Sequence, residues 1–230
     1  MRNRTDGTQQ QVKFELLNTS IVILAEAHNP SILHPSFLSS LGIVPPDWKV
    51  AEPPICTPMI SVVKYENKIA FKSEQSKFMV LSEAAANVSL LPPLVRQYVE
   101  ALPHVHYAAV GTNIAGFIEC SGDPESWAVK RFLKQGPGND ERLTPKAATI
   151  KLIYKLEKGI LSLNCEPGSI GKNDQPERPC LVINGNVHIP VAPERRLEET
   201  VAAVNLHSAN VAKFMEIVQV VFASEDPCQQ

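Results

Sequence analysis

The sequence predicts an α+β protein built on antiparallel sheet. Apolar and polar residues alternate with period two over residues 60–65, 69–71 and 150–156, the pattern of strands with one wet face. The strands are punctuated by short turn signals, Glu66-Asn67 and Lys158-Gly159. Toward the C-terminus the period changes: Leu197, Val201, Val204, Ser208, Val211, Met215, Val218 and Phe222 recur in steps of four and three, one stripe of a helix from Glu194 to Ala223. Runs of strands followed by a helix, rather than strict strand–helix alternation, select α+β over α/β.

The elements follow in chain order. A polar tail at residues 1–19 leads into the β-branched run "SIVILA", a buried strand that Asn29-Pro30 closes, because the residue before proline is pushed out of helical geometry. Residues 30–58 hold seven prolines, so this stretch wraps a surface, with one turn of helix at "SFLSSLG" and Trp48 as its anchor. Three strands come next, the last at "KFMVLS". A helix then starts at Pro92-Pro93, where a missing amide hydrogen costs nothing, and presents Leu94, Val95, Tyr98, Val99 and Leu102. "VHYAAVGTNIAGFIE" returns as a strand whose glycines suggest a bulge or a close backbone contact.

From Asp123 the order repeats. A short helix at "PESWAVKRFLKQ" precedes a hairpin with Ile150, Leu152, Tyr154 and Leu156 on one face and Lys151, Ile153 and Lys155 on the other. "EPGSIGKNDQPERP" reads as a polar loop, and "CLVINGNVHIPV" as a strand with a turn or bulge at Asn184-Gly185. The expected organisation is therefore a tail at 1–19, a first half at 20–122 and a second half at 123–230, two strand-rich halves in a two-sheeted scaffold. A chain of 230 residues, 44% hydrophobic and 20% charged, can bury an ordinary core.

A net charge of −2 provides no global attraction to nucleic acid or acidic membranes, and no segment approaches the roughly 20 apolar residues that span a bilayer. The five cysteines form no CxxC or Cys–His pairing at metal spacing, which points to reduced thiols in a cytoplasmic protein. The charge is uneven, however. Residues 127–158 carry eight basic side chains against three acids, net +5, leaving −7 for the rest. Lys130, Arg131, Lys134, Lys151 and Lys155 are the candidate binding residues for nucleic acid or an acidic partner.

Other chemistry is thinly represented. His104 and His106, two apart, would share a face if extended, as metal ligands must, but no carboxylate or cysteine stands near in sequence. His207 and Ser208 point about 100° apart on a helix and cannot form a catalytic pair; His207 is expected at the edge of the helix stripe. Glu26 and Glu119 read as solvent-facing strand-end acids, and no glycine-rich phosphate loop is present.

Four blocks, "ISVVKYENKIAFKSEQSKFMVLS", "HVHYAAVGTNIAGFIE", "CLVINGN" and "VNLHSANVAKFMEIV", resemble in order the blocks of a sporadically distributed prokaryotic protein family with no assigned activity. The matching positions are Phe71 and Ser73, Gly111, and Leu206, His207 and Phe214. The family strand tends to carry an arginine and an aromatic after its glycine, where this chain has Thr112 and Asn113. The resemblance implies an accessory or interaction protein, often of mobile or defence-related gene clusters, and brings no catalytic residues.

The leading expectation is thus a cytoplasmic, non-enzymatic accessory or immunity-like protein that binds another protein, needs no cofactor and is compatible with homo-oligomers. The alternatives are nucleic-acid binding through the basic 127–158 face and a metal-dependent hydrolase using the paired histidines.

Overall fold

The computed structural model describes residues 12–133, 145–171 and 177–222. Nine strands form one antiparallel sheet: β1 (Phe14–Ala25), β2 (Ile55–Cys56), β3 (Ile60–Lys64), β4 (Ile69–Glu74), β5 (Lys77–Ser82), β6 (Tyr107–Glu119), β7 (Ile150–Lys155), β8 (Ile160–Ile170) and β9 (Arg178–Pro190). Five α-helices accompany them: α1 (Pro35–Ser40), α2 (Leu91–Ala101), α3 (Pro124–Phe132), α4 (Arg196–Asn205) and α5 (His207–Phe222). The α+β class is as expected, whereas the expected two sheets are one. The strand order β2-β3-β4-β5-β1-β6-β9-β8-β7 explains why. β1 and β6 pair along almost their whole length, from Phe14↔Ile118 to Ala25↔Tyr107, and fuse two meanders at the centre. Each meander flanks one of these strands, and each is followed by a helix.

β1 begins at Phe14, inside the stretch expected as tail. Of the two readings of the β6 glycines, close backbone contact holds at Gly116; the register slips opposite it in β1, between Leu16 and Asn18, and again near the start of β6, between Tyr107 and Ala109. Gly116 of β6 is required because a Cβ there would collide with the Phe14 ring and the Glu15 carbonyl oxygen. Asn184-Gly185, read as a turn, lies within the unbroken strand β9, and glycine is needed at 185 because the Phe214 ring occupies the space a Cβ would take. The polar stretch after Cys165, read as loop, continues β8 to Ile170. Pro167 is tolerated there because β7 pairs with β8 only as far as Cys165, so its missing amide hydrogen falls on a free edge.

The turn between β3 and β4 has a clear local cause. The Lys68 amide donates to the Tyr65 carbonyl at 3.0 Å and Asn67 Oδ1 accepts from the Ile69 amide at 3.2 Å, while Lys68 itself adopts φ 66°. A type I turn closed by a left-handed residue favours glycine at that last position. Lys68→Gly is expected to raise stability by about 0.5 to 1 kcal/mol in thermal or chemical denaturation; a loss would mean that the exposed Lys68 side chain stabilises the turn.

One face of the sheet is covered by the helices. Ile21, Ile23, Phe71, Phe78, Val80, Ile114, Leu161, Leu163, Ile183 and Val187 point into this layer and are fully or almost fully buried, joined by Val95, Tyr98, Val99, Val204, Phe214 and Val218 from α2, α4 and α5. Phe78 stacks on Tyr98 with ring centroids 3.5 Å apart, and Trp48 meets Tyr65 edge-on at 5.3 Å, the anchoring expected for it. The single helix expected over 194–223 is broken at Leu206. A continuous stripe would have turned Ser208 inward; with the break, Ser208 is exposed and His207 is fully buried.

Candidate functional site

The second face of the sheet lies opposite the helical layer, and strand register defines its side chains; Ser20, Val22 and Gly111 are buried at its centre, Asn113 is half-buried, and Asn186 and His188 are exposed. Its central row runs Lys64, Ala70, Leu81, Ser20, Asn113, Asn186, Ser162 and Ile153 across eight strands. One flanking row runs Val62, Lys72, Met79, Val22, Gly111, His188, Ile160 and Lys155. The other runs Asn18, Ala115, Asn184, Asn164 and Lys151. None of these residues belongs to the main hydrophobic cluster, although Val22 is buried.

The centre of this face is a hydrogen-bonded ladder. The Asn113 amide donates to Ser20 Oγ at 3.3 Å, and the Asn186 amide donates to Asn113 Oδ1 at 2.6 Å, linking β1, β6 and β9. The ladder fixes the orientation of both amides and leaves each with donor or acceptor capacity to spare. Asparagine is depleted in strands, so Asn18, Asn113, Asn164, Asn184 and Asn186 on one strand face are unusual. Gly111 adds a second anomaly. A Cβ there would make only ordinary contacts, 3.6 Å to Val22 Cβ and 3.8 Å or more to other atoms, so folding does not require glycine at this position.

Cations stand at both ends. Lys64 pairs with Glu52 at 2.9 Å, and Lys72 with Glu74 at 2.6 Å, at one end. Lys151 and Lys155 are exposed on β7 at the other and pair with no carboxylate among the described residues. The three rows contain no carboxylate; Glu15, Glu119 and Glu166 share the face at one margin, where Glu119 is held by Arg178 at 2.8 Å, and Glu74 shares it at the other, beside Lys72 and Lys77.

The basic window is therefore divided. Lys130 and Arg131 are exposed on α3, which docks on the covered face through Trp127 stacked on Phe222 at 5.8 Å, while Lys151 and Lys155 project from the opposite face. Lys134 lies outside the described residues. A linear charge window cannot tell the two faces apart. The ladder itself was missed because Ser20 lies within an apolar run and Asn184-Gly185 mimics a hairpin; alternate asparagines at 184 and 186 and the Ser162–Asn164 pair were the available signal.

The histidines take three different settings. His104 and His106 line a surface hollow of about 360 Å³ with Glu26, Leu102 and Val105. His106 Nδ1 lies 2.9 Å from Glu26, whose carboxyl this hydrogen bond holds below the usual range. Among the described residues no three His, Cys, Asp or Glu side chains are placed to hold a metal ion. His28 is buried among Phe78, Tyr98 and Tyr107, and burial lowers its pKa. His207 sits beneath the sheet centre rather than at a stripe edge, its Nδ1 3.3 Å from Thr112 Oγ1 and its Nε2 3.5 Å from Thr19 Oγ1; burial pushes its pKa down to about 4. Among the cysteines, Cys56, Cys165 and Cys180 are free thiols, but Cys120 is disulfide-bonded, which departs from the all-reduced expectation.

No helix among the described residues is long and apolar enough to cross a membrane. In comparison with known proteins, no protein-family model matches the chain and no curated protein matches it.

Proposed function

We propose that the protein acts without catalysis, as an accessory or interaction protein that presents the open sheet face to another macromolecule. The observation that carries this reading is the Ser20–Asn113–Asn186 ladder, an ordered set of polar groups at the centre of the sheet face opposite the main hydrophobic core. Nothing in folding favours it: asparagine weakens strands, and Gly111 beside it forgoes a side chain that the fold would accept. Local departures from what the fold prefers are expected at working surfaces. The resemblance to accessory proteins of mobile or defence-related gene clusters fits this role.

The test is lysine acylation read by peptide mass spectrometry, on the protein in a lysate of the cells that make it and again after purification. Lys64, Lys72, Lys151 and Lys155 are expected to be protected in the lysate, whereas Lys130 and Lys213, outside the open face, label equally in both. Gly111→Leu, which places bulk at the centre of the face, should abolish the protection. Equal labelling of all six lysines in both states, or protection confined to Lys130 and Lys213, would refute the reading.

A further inference from the structure

We infer that the occupant of the open face is a nucleic-acid duplex in A-form geometry, a double-stranded RNA engaged from its minor-groove side. This presupposes that the open face is the working surface and assigns it a ligand class. The first ground is the spacing of the cations. From β3 to β7 the face crosses seven inter-strand gaps, roughly 34 Å at about 4.8 Å each, long enough to lie along about one turn of a duplex of either form. Lys64 and Lys72, each ion-paired with a glutamate, stand at one end of that span and Lys151 and Lys155, unpaired among the described residues, at the other, with no carboxylate between them in the three rows. Four lysines so placed can meet phosphates on either side of a groove whose floor faces the amides.

The second ground is what the face lacks. A partner protein is normally gripped by aromatic and arginine anchors, and lysine is depleted in such interfaces. Here the three rows hold four lysines, no arginine and one aromatic ring, the exposed imidazole of His188, and Phe117, the aromatic that register adds at their margin, is only 2% exposed. A single strand, whose successive unstacked bases each need an aromatic or guanidinium platform, would find one imidazole on the three rows.

The third ground is side-chain reach. The central groups are short: Ser20, Val22, Asn113 and no side chain at Gly111. A B-form minor groove is about 6 Å wide and 7.5 Å deep, too narrow for so broad a surface and too deep for groups of this length. The A-form minor groove is wide and shallow and displays 2′-hydroxyls beside base edges. A 2′-hydroxyl both donates and accepts, as does a side-chain amide, so the ordered amides of Asn113 and Asn186 match it in either sense.

The experiment is fluorescence anisotropy with a labelled RNA duplex of about 20 base pairs, its DNA counterpart and the single RNA strand, each titrated over a range of salt. The expected order of affinity is RNA duplex, then DNA duplex, then single strand. Lys151→Glu combined with Lys155→Glu should weaken duplex binding about tenfold at low salt and reduce the salt slope by about 1.5 to 2. Gly111→Leu should weaken binding while leaving that slope unchanged, and Lys130→Glu should change neither. Melting curves check that the variants are folded, which the exposure of Lys151 and Lys155 favours. The inference is overturned by absence of duplex binding at low salt, by DNA or single strand binding as well as duplex RNA, or by indifference to the β7 lysines. Ribonuclease treatment of the lysate separates it from the open-face reading: lysine protection that survives the treatment means a protein occupies the face, whereas protection that never appears removes the surface itself.

Discussion

Phe214→Ala is expected to destabilise the protein by about 3 to 5 kcal/mol, the range for removing a buried aromatic ring. Phe214 is fully buried on α5; its ring lies over Gly185 of β9 and meets Phe14 edge-on, with centroids 5.6 Å apart. Truncation would leave a void between helix and sheet and remove the contact that fits α5 to the central strands. Gly185→Ala probes the same contact from the other side. Its Cβ would stand 2.5 Å from the ring, forcing the ring to move at a cost of about 1 to 3 kcal/mol. The two effects should not add: with the ring gone, the alanine methyl meets no clash and fills part of the void, so the double variant is expected to be less destabilised than the sum. Urea unfolding of the four proteins measures this coupling. Simple additivity would show that the ring does not rest on the glycine in solution.

The same pair of residues marks what sequence reading can and cannot see. Alternation across residues 150–155 was legible because one face of the β7–β8 hairpin is wet, and the placement of Lys151 and Lys155 opposite Ile150 and Leu152 follows from period two alone. Asn184-Gly185 misled because its local chemistry is that of a turn, while the reason for the glycine is a ring contributed from 29 residues further along. The fusion of the halves was hidden for a related reason: β1 and β6 are separated by about ninety residues, and nothing local in either announces the pairing. The asparagine-bearing face became readable only when five asparagines from distant segments fell on one side of the sheet. Lys130 and Arg131, adjacent to that group in the charge count, fell on the other side of the molecule.

His207 makes stability depend on pH in a direction that can be worked out. Its imidazole is fully buried between Thr19 and Thr112, and burial favours the neutral form, taking its pKa from the ordinary 6.5 down to about 4. Between those values the unfolded chain binds a proton that the folded protein refuses, so acid favours unfolding there. The stabilisation is fully present above about pH 6.5, declines as pH falls toward 4 and changes no further below that. Two and a half pH units at 1.36 kcal/mol each give a loss of about 3 kcal/mol from this residue. His28, also lowered by burial, adds a loss in the same direction. His207→Gln, which retains hydrogen-bonding capacity toward both threonines, is expected to remove most of the His207 part, leaving a shallower decline between pH 6.5 and 4 than in the wild type. Because the variant could pack less well at every pH, the slope rather than the absolute stability is the readout, and an NMR titration of the wild-type imidazole provides an independent check. A folded-state pKa near 6.5 would mean that water reaches the ring, and that the junction of α4 and α5 over the central strands is open rather than sealed.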